Sequence, residues 1–229
     1  MSEHHPLAGA SVLLVGATGG LGRAIGAELH QRGAELTLVS RSAERLDECA
    51  FPGARLALDL RSPEACVAAV AAAIAHHGRL DVVMNAVGVV AFGPVDELSI
   101  DTMEELFLTN TFLPIMLARA ALPAMAGGGA IVNISGVIAE VNLPGMAAYG
   151  ASKAALRSFD QALAREARRR SVRVLDARPP HTETGLADRP LAGSAPRMPT
   201  GLEPAHVAKV ICDALERGDA DLPSTAFAP

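Results

Sequence analysis

The chain has 229 residues, half of them apolar, and a formal net charge of −5. That length can bury a large core and favours one domain over 1–229, while the acidic balance gives no attraction to nucleic acid or an anionic membrane. No apolar run reaches the roughly 18 residues of a membrane span, and the N-terminal segment lacks the cationic and apolar regions of a secretion signal, so a cytoplasmic protein is expected.

The elements then follow in chain order. Residues 11–15 form a short, branched apolar run, the pattern of a buried parallel strand. It runs into Gly16-Ala17-Thr18-Gly19-Gly20-Leu21-Gly22 and then a helical pattern over 23–32, closed by Gly33. Residues 35–39 read as a second strand. Strand, glycine-rich turn, helix and strand make one βαβ unit, and the glycines sit where backbone must approach a diphosphate closely. The helix start adds free N–H groups and a positive dipole end for that anion.

The end of the second strand selects between cofactors. An acid there would hold a ribose 2′-hydroxyl, whereas an Arg accepts a 2′-phosphate. The residues are Ser40-Arg41-Ser42, which favours NADP(H) over NAD(H). The competing reading is that Ser42 caps the next helix and Arg41 is solvated. Alternation continues with strands at 54–58 and 80–84, the first ending at Asp59-Leu60. Between them Ser62 caps a helix with Pro63 at its first position, ending near Gly78. The three cysteines, Cys49, Cys66 and Cys212, share no ligand spacing and read as free thiols; His76 and His77 read as helix-end groups, so no metal is expected.

Asn85-Ala86-Val87-Gly88 follows the fourth strand. Ser99 starts a long helix running through Asn110 towards Met125, and 130–135 is a fifth strand. A helix beginning near Tyr149 leads to a sixth strand at 172–177. Residues 185–200 carry several Pro and Gly without periodicity and read as a substrate loop, and a last amphipathic helix covers 205–216. Repeated βα units give an α/β fold, a Rossmann-type doubly wound parallel sheet in three layers. Ligands of such sheets sit beyond the carboxyl ends of the strands. Gly16, Asp59, Asn85, Ser135, Tyr149 and Pro179 all fall there.

Tyr149 and Lys153 are four residues apart, so a helix puts them on one face. A fixed cation beside a phenol stabilises the phenolate and lowers its pKa from about 10, making a general acid/base for carbonyl and alcohol interconversion.

With these residues in place the chain resembles the short-chain dehydrogenase/reductase family over nearly its full length. Gly16, Gly20 and Gly22 match its GxxxGxG loop, which places Thr18, Gly19 and Leu21 at the cofactor as well. Asp59 matches the acid that contacts adenine, with Leu60 beside it. Asn85, Ala86 and Gly88 stand in the NNAG position, Asn110 is the helix Asn of the tetrad, and Tyr149 and Lys153 are YxxxK. Pro179 to Thr184 resembles PGxxxT, with Pro180 for Gly. The resemblance implies hydride transfer between NADP(H) and a carbonyl or alcohol substrate, with Tyr149 as acid/base, Lys153 on the nicotinamide ribose and Asn110 fixing a water. It also implies a homodimer through the helices near 101–125 and 149–169. The tail after 219 is shorter than the family's last strand and loop, which leaves tetramer contacts open.

One position departs from that pattern. The family's catalytic Ser would stand at 136, which is Gly136. Three outcomes are open: Ser135 substitutes, Asn142 serves as the donor, or the protein binds cofactor with impaired catalysis and acts as a regulatory or scaffold protein.

Overall fold

The computed structural model describes residues 6–125 and 127–228; the segment before them, read above for a missing signal, lies outside. Seven parallel strands form one sheet. They are β1 (Ser11–Val15), β2 (Glu35–Ser40), β3 (Ala54–Ala57), β4 (Val82–Asn85), β5 (Gly129–Ile134), β6 (Val172–Ala177) and β7 (Asp221–Leu222), in the order β3-β2-β1-β4-β5-β6-β7. The order reverses direction at β1, between β2 and β4, so the ends of β1 and β4 open a cleft at the switch point.

Alternate residues of each strand point to opposite faces, and both faces are covered. Val12, Leu14, Leu36, Leu38 and Met84 face a layer made by α1 (Gly20–Gln31) and a late helix, Pro204–Arg217. Leu13, Val15, Val39, Val83 and Val174 face the other layer. That layer is built from the helices Pro63–His77, Leu113–Ala121 and Ala147–Ala167. In chain order the helices are α1, α2 (Ala43–Asp47), α3 (Pro63–His77), α4 (Ile100–Phe107), α5 (Leu113–Ala121), α6 (Ala147–Ala167) and α7 (Pro204–Arg217). Arg32 ties α1 to α7, its guanidinium reaching Glu28, Asp213 at 2.7 Å and Glu216 at 2.6 Å.

The starts of three helices follow from their sequences. Ser42, Ser62 and Ser99 each accept a backbone N–H of the first turn, satisfying one of the donors a helix start leaves free. The long helix read from Ser99 to Met125 is instead broken. Leu108–Phe112 is a π turn, in which the N–H of Leu113 reaches back to the Leu108 carbonyl. The cause is Pro114, which has no N–H to give and whose ring collides with the preceding turn, so one extra residue is looped out before it.

Two further boundaries differ from the sequence reading. β5 stops at Ile134, so Ser135 lies past the strand rather than at its end. A seventh strand does exist in the tail, with two residues paired to Asp176 and Ala177 of β6. No helix among the described residues is long and apolar enough to cross a membrane.

Candidate active site

The glycine turn between β1 and α1 is sterically fixed. Gly16 has φ +82°, a left-handed backbone that favours glycine, and a Cβ there would lie 2.9 Å from the Ala86 backbone. A Cβ on Gly22 would lie 2.0 Å from the Gly16 carbonyl oxygen. A Cβ on Gly20 would lie 2.4 Å from the carbonyl oxygen of Thr184, so the loop after β6 rests on the turn. Gly19 is less constrained, its nearest neighbour at 3.4 Å. Three positions of the turn therefore exclude any side chain, which leaves backbone N–H groups at the start of α1 open to a diphosphate. That geometry fits a dinucleotide.

Around the turn the hydroxyls of Thr18 and Ser40 lie 2.7 Å apart. Arg41 is exposed and makes no hydrogen bond with another described residue. Ser42, by contrast, is committed to capping α2, accepting from the Arg45 N–H at 3.2 Å. Two arginines that the sequence reading missed close on the same place: Arg45 donates to the Thr18 carbonyl at 2.8 Å and Arg23 at 3.3 Å. Arg45 does not stand out in the sequence because the approach of α2 to the turn is a tertiary event, and Arg23 reads there as one more residue of α1.

Asp59 is held by Arg61, whose guanidinium contacts both carboxylate oxygens and also reaches Glu105 of α4. That hydrogen bonding holds the Asp59 carboxyl below the usual range. Leu60 turns into the core beside Val39 and Val70 and presents no side chain to the cleft. Leu21 is half-buried against the opposite layer. The Asn85 side chain is also turned inward. Its Nδ2 donates to Asn133 at 3.2 Å, and Asn133 donates to Asp160 at 2.6 Å, a polar line through the sheet into α6.

The residues at the far end of the cleft converge. Lys153 is buried, and its Nζ donates to the Ile134 carbonyl at 2.8 Å. A Cβ on Gly88 would sit 3.4 Å from that nitrogen and 3.6 Å from Asn110 Oδ1, so glycine there makes room for both. Asn110, in the π turn, accepts the Val89 N–H and donates to the Val89 carbonyl, both at 2.9 Å. It also donates to Ser152 Oγ at 3.0 Å. Its side chain thus pins the loop after β4 to α6. Pro179 anchors the loop after β5, its carbonyl accepting the Val137 N–H at 3.0 Å.

Tyr149 is half-buried among Val90, Phe92, Ile138, Met146, Leu98 and Leu106. The 185–200 segment closes over it from outside. Leu191 N–H donates to Val90 at 2.8 Å, and Phe92 N–H donates to Ala192 at 2.9 Å. The phenol and the ammonium do not pair directly, and burial pushes the phenol up to about 12 rather than down. The sequence reading expected the cation to prevail. Desolvation outweighs it here, because the same enclosure drives Lys153 down to about 8 against the opposing pull of Asp176 and Asp160.

Ser135 does not take the place of the missing serine. It is fully buried, and its hydroxyl donates to Asp176 on β6. Gly136 has φ 80° and ψ 164°, a conformation essentially reserved for glycine. Asn142 is exposed, and its Oδ1 lies over Gly150, next to Tyr149 in the first turn of α6.

The comparisons agree with this geometry. The short chain dehydrogenase family model matches residues 10–192. The chain belongs to the short-chain dehydrogenase/reductase family. A hydroxynaphthalene reductase of Aspergillus fumigatus is 30% identical over 177 residues, 74% of this chain and 65% of that protein. A short-chain dehydrogenase from Streptomyces avermitilis superposes with TM-score 0.84 at 30% identity, covering 95% of this chain and 90% of the other. A metagenomic short-chain oxidoreductase solved in complex with NADP superposes with TM-score 0.79 at 29% identity, covering 96% and 98%. The protein is thus an oxidoreductase with a nucleotide-binding Rossmann fold.

Proposed function

We propose that this short-chain dehydrogenase/reductase transfers a hydride between NADP(H) and a small or medium apolar carbonyl or alcohol substrate. The observation that carries it is the meeting of the side-chain-free glycine turn with the Tyr149–Lys153 pair at two ends of one cleft. Gly16, Gly20 and Gly22 would hold the diphosphate, and Arg41, with Ser40 and Thr18, the 2′-phosphate of the adenosine. Asp59 and Gly88 would line the adenine and nicotinamide ends. The bound nicotinamide supplies the hydride in reduction and accepts it in oxidation. Tyr149 then gives its phenolic proton to the carbonyl oxygen, or takes it back from an alcohol. Lys153, one helical turn away, would hold the nicotinamide ribose, and its charge would offset part of the burial that keeps the proton on the phenol. Asn110 keeps the loop with Gly88 in place. Asn142 is the donor best placed to replace the serine absent at 136.

The apolar wall around Tyr149 supports an apolar substrate, and exposed Val95, Leu143 and Leu191 carry that character onto the surrounding loops. The outer surface of α4 to α6 supports a homodimer. Phe112 is 55% exposed there, in a groove rimmed by Asp101, Glu104 and Glu105. A second groove of Ile115, Leu122 and Phe159 is rimmed by Arg119, Arg169 and Arg170. The first rim is acidic and the second, Glu166 apart, basic, so the two would complement each other across a twofold axis.

The fluorescence of NADPH and NADH, titrated against wild type and Arg41→Ala, tests the cofactor. Arg41→Ala weakens NADPH by about tenfold to a hundredfold, the loss of a charge-assisted contact, and leaves NADH unchanged. Equal binding of both cofactors to wild type would remove the NADP assignment. NADPH consumption over a panel of ketones and aldehydes tests the chemistry, and Tyr149→Phe abolishes it while NADPH binding remains.

A second reading is favoured by one observation: the glycine-only backbone at 136, with Ser135 turned into the core, leaves no hydroxyl beside Tyr149 from that loop. Under it the protein binds NADP(H) and acts as a regulatory or scaffold protein with impaired chemistry. Tight NADPH binding with no turnover on any panel member selects it.

A further inference from the structure

The loop after β5 is tied down by an ionic cluster that the chemistry above does not use. Arg178, at the end of β6, is only 2% exposed. Its Nε donates to Glu140, and its Nη1 reaches Asp176 at 2.5 Å and Asp221 of β7 at 2.8 Å. Ser224, in the tail after β7, donates its hydroxyl to the other Glu140 oxygen at 2.5 Å. Glu140 therefore joins three parts of the chain: the loop after β5, the end of β6 and the C-terminal tail. The tail is also held independently of it. Phe227 is fully buried in the layer of α1 and α7, and its carbonyl meets His206 at 3.0 Å.

What Glu140 fixes lies against the site. It follows a single helical turn, Val137–Ala139, whose Ile138 belongs to the apolar cluster that packs on Tyr149. Arg157 of α6 pins the same turn from the other side, donating to the Ala139 carbonyl at 3.2 Å. Beyond Glu140 the chain is exposed from Val141 to Pro144 and returns to the interior at Met146, another member of the Tyr149 cluster. Asn142 stands in that exposed arch, so Glu140 and Met146 are its two feet.

We propose that Glu140 is a positioning residue for Tyr149 and Asn142: gripped by Arg178 and Ser224, it holds the loop after β5 against the phenol and so makes the C-terminal tail part of the site. That Tyr149 and Asn142 act on a substrate rests on the reductase reading; the grip on the loop does not. Removing the Glu140 carboxylate leaves Arg178 paired with Asp176 and Asp221, so the substitution buries no unpaired charge.

The composition makes the test direct. The sequence contains one Tyr, Tyr149, and no Trp, so the tyrosine emission of the protein comes from Tyr149 alone. Its quenching by acrylamide is measured in the cofactor-free protein, where neither substrate nor turnover is needed. Glu140→Ala raises the quenching constant about twofold or more, because a loop freed at one foot opens locally. Ser224→Ala raises it in the same direction by less. Arg32→Ala is the control: it unties α1 from α7 at the end of the sheet opposite the cleft, and lowers Tm while Tyr149 stays as shielded as in wild type. A merely structural role for Glu140 would behave like that control, so unchanged quenching in folded Glu140→Ala overturns the proposal. If that variant does not fold, Ser224→Ala decides, and unmoved quenching there overturns it equally. On a ketone that wild type reduces, Glu140→Ala lowers kcat/KM on the order of tenfold to a hundredfold, the cost of a misplaced group, and leaves NADPH binding unchanged. An undiminished kcat/KM overturns the positioning role. A failed ketone panel would remove the reductase reading without touching the quenching result.

Discussion

At the scale of single residues, position 136 carries the most information. The sequence shows that a hydroxyl is missing there, but only the backbone shows why it is not simply absent. With φ 80° and ψ 164°, the loop is built around glycine, although the space beside it is open, with the nearest atom to an added Cβ 3.9 Å away. Restoring the family's serine therefore meets conformational strain rather than a clash. Gly136→Ser is expected to cost about 1–3 kcal/mol, read as a lower Tm, with no rise in turnover. A variant as stable as wild type would show that the loop relaxes freely. The glycines of the βα turn, Tyr149 and Lys153 were legible in the sequence because each is set by local spacing. The inward turn of Asn85 and the diversion of Ser135 were not, because each depends on a partner far along the chain.

Among the elements, the interrupted helix from α4 to α5 governs both the site and the outer surface. Its π turn places Asn110 on Val89 and Ser152 inside, and swings Phe112 outward. The interruption could have been read from Pro114, since a proline in a helix interior withdraws a backbone donor; apolar spacing alone runs straight through it. An exposed Phe in an apolar groove with an acidic rim is a costly feature for a lone chain. Phe112→Asp is expected to turn a dimer into a monomer in sedimentation velocity, with the NADPH affinity of each chain preserved. A variant that sediments as wild type would place the interface elsewhere. The strands were the easiest elements to foresee. Apart from β3 and the short β7, they are apolar runs buried on both faces, and the structure shifts their ends by a residue or two, as at β4 and β5.

For the molecule as a whole, the buried Lys153 makes stability depend on pH. Its folded-state value is about 8 against 10.5 for the free side chain. Between those values the unfolded chain binds more protons than the folded one, so stability rises with pH across that window. Below about pH 8 the burial cost is present in full. The rise from this group is on the order of 3 kcal/mol. Lys153→Met is expected to flatten the curve of unfolding free energy against pH over that range, measured by urea denaturation. A wild-type curve without the rise would mean that the ammonium is better solvated than its burial implies. The sheet order carries a different consequence, one of timing. Val12 to Val15 of β1 pair with Val82 to Asn85 of β4, so the central strand waits for a partner made some seventy residues later. During synthesis, β1 and β2 form a ribbon with one edge bare and both faces apolar. Long-range parallel pairing is slow, and a bare edge recruits other chains. The emerging chain is therefore most exposed to aggregation before β4 leaves the ribosome, and slower translation across the first eighty residues would prolong that interval rather than help the protein fold.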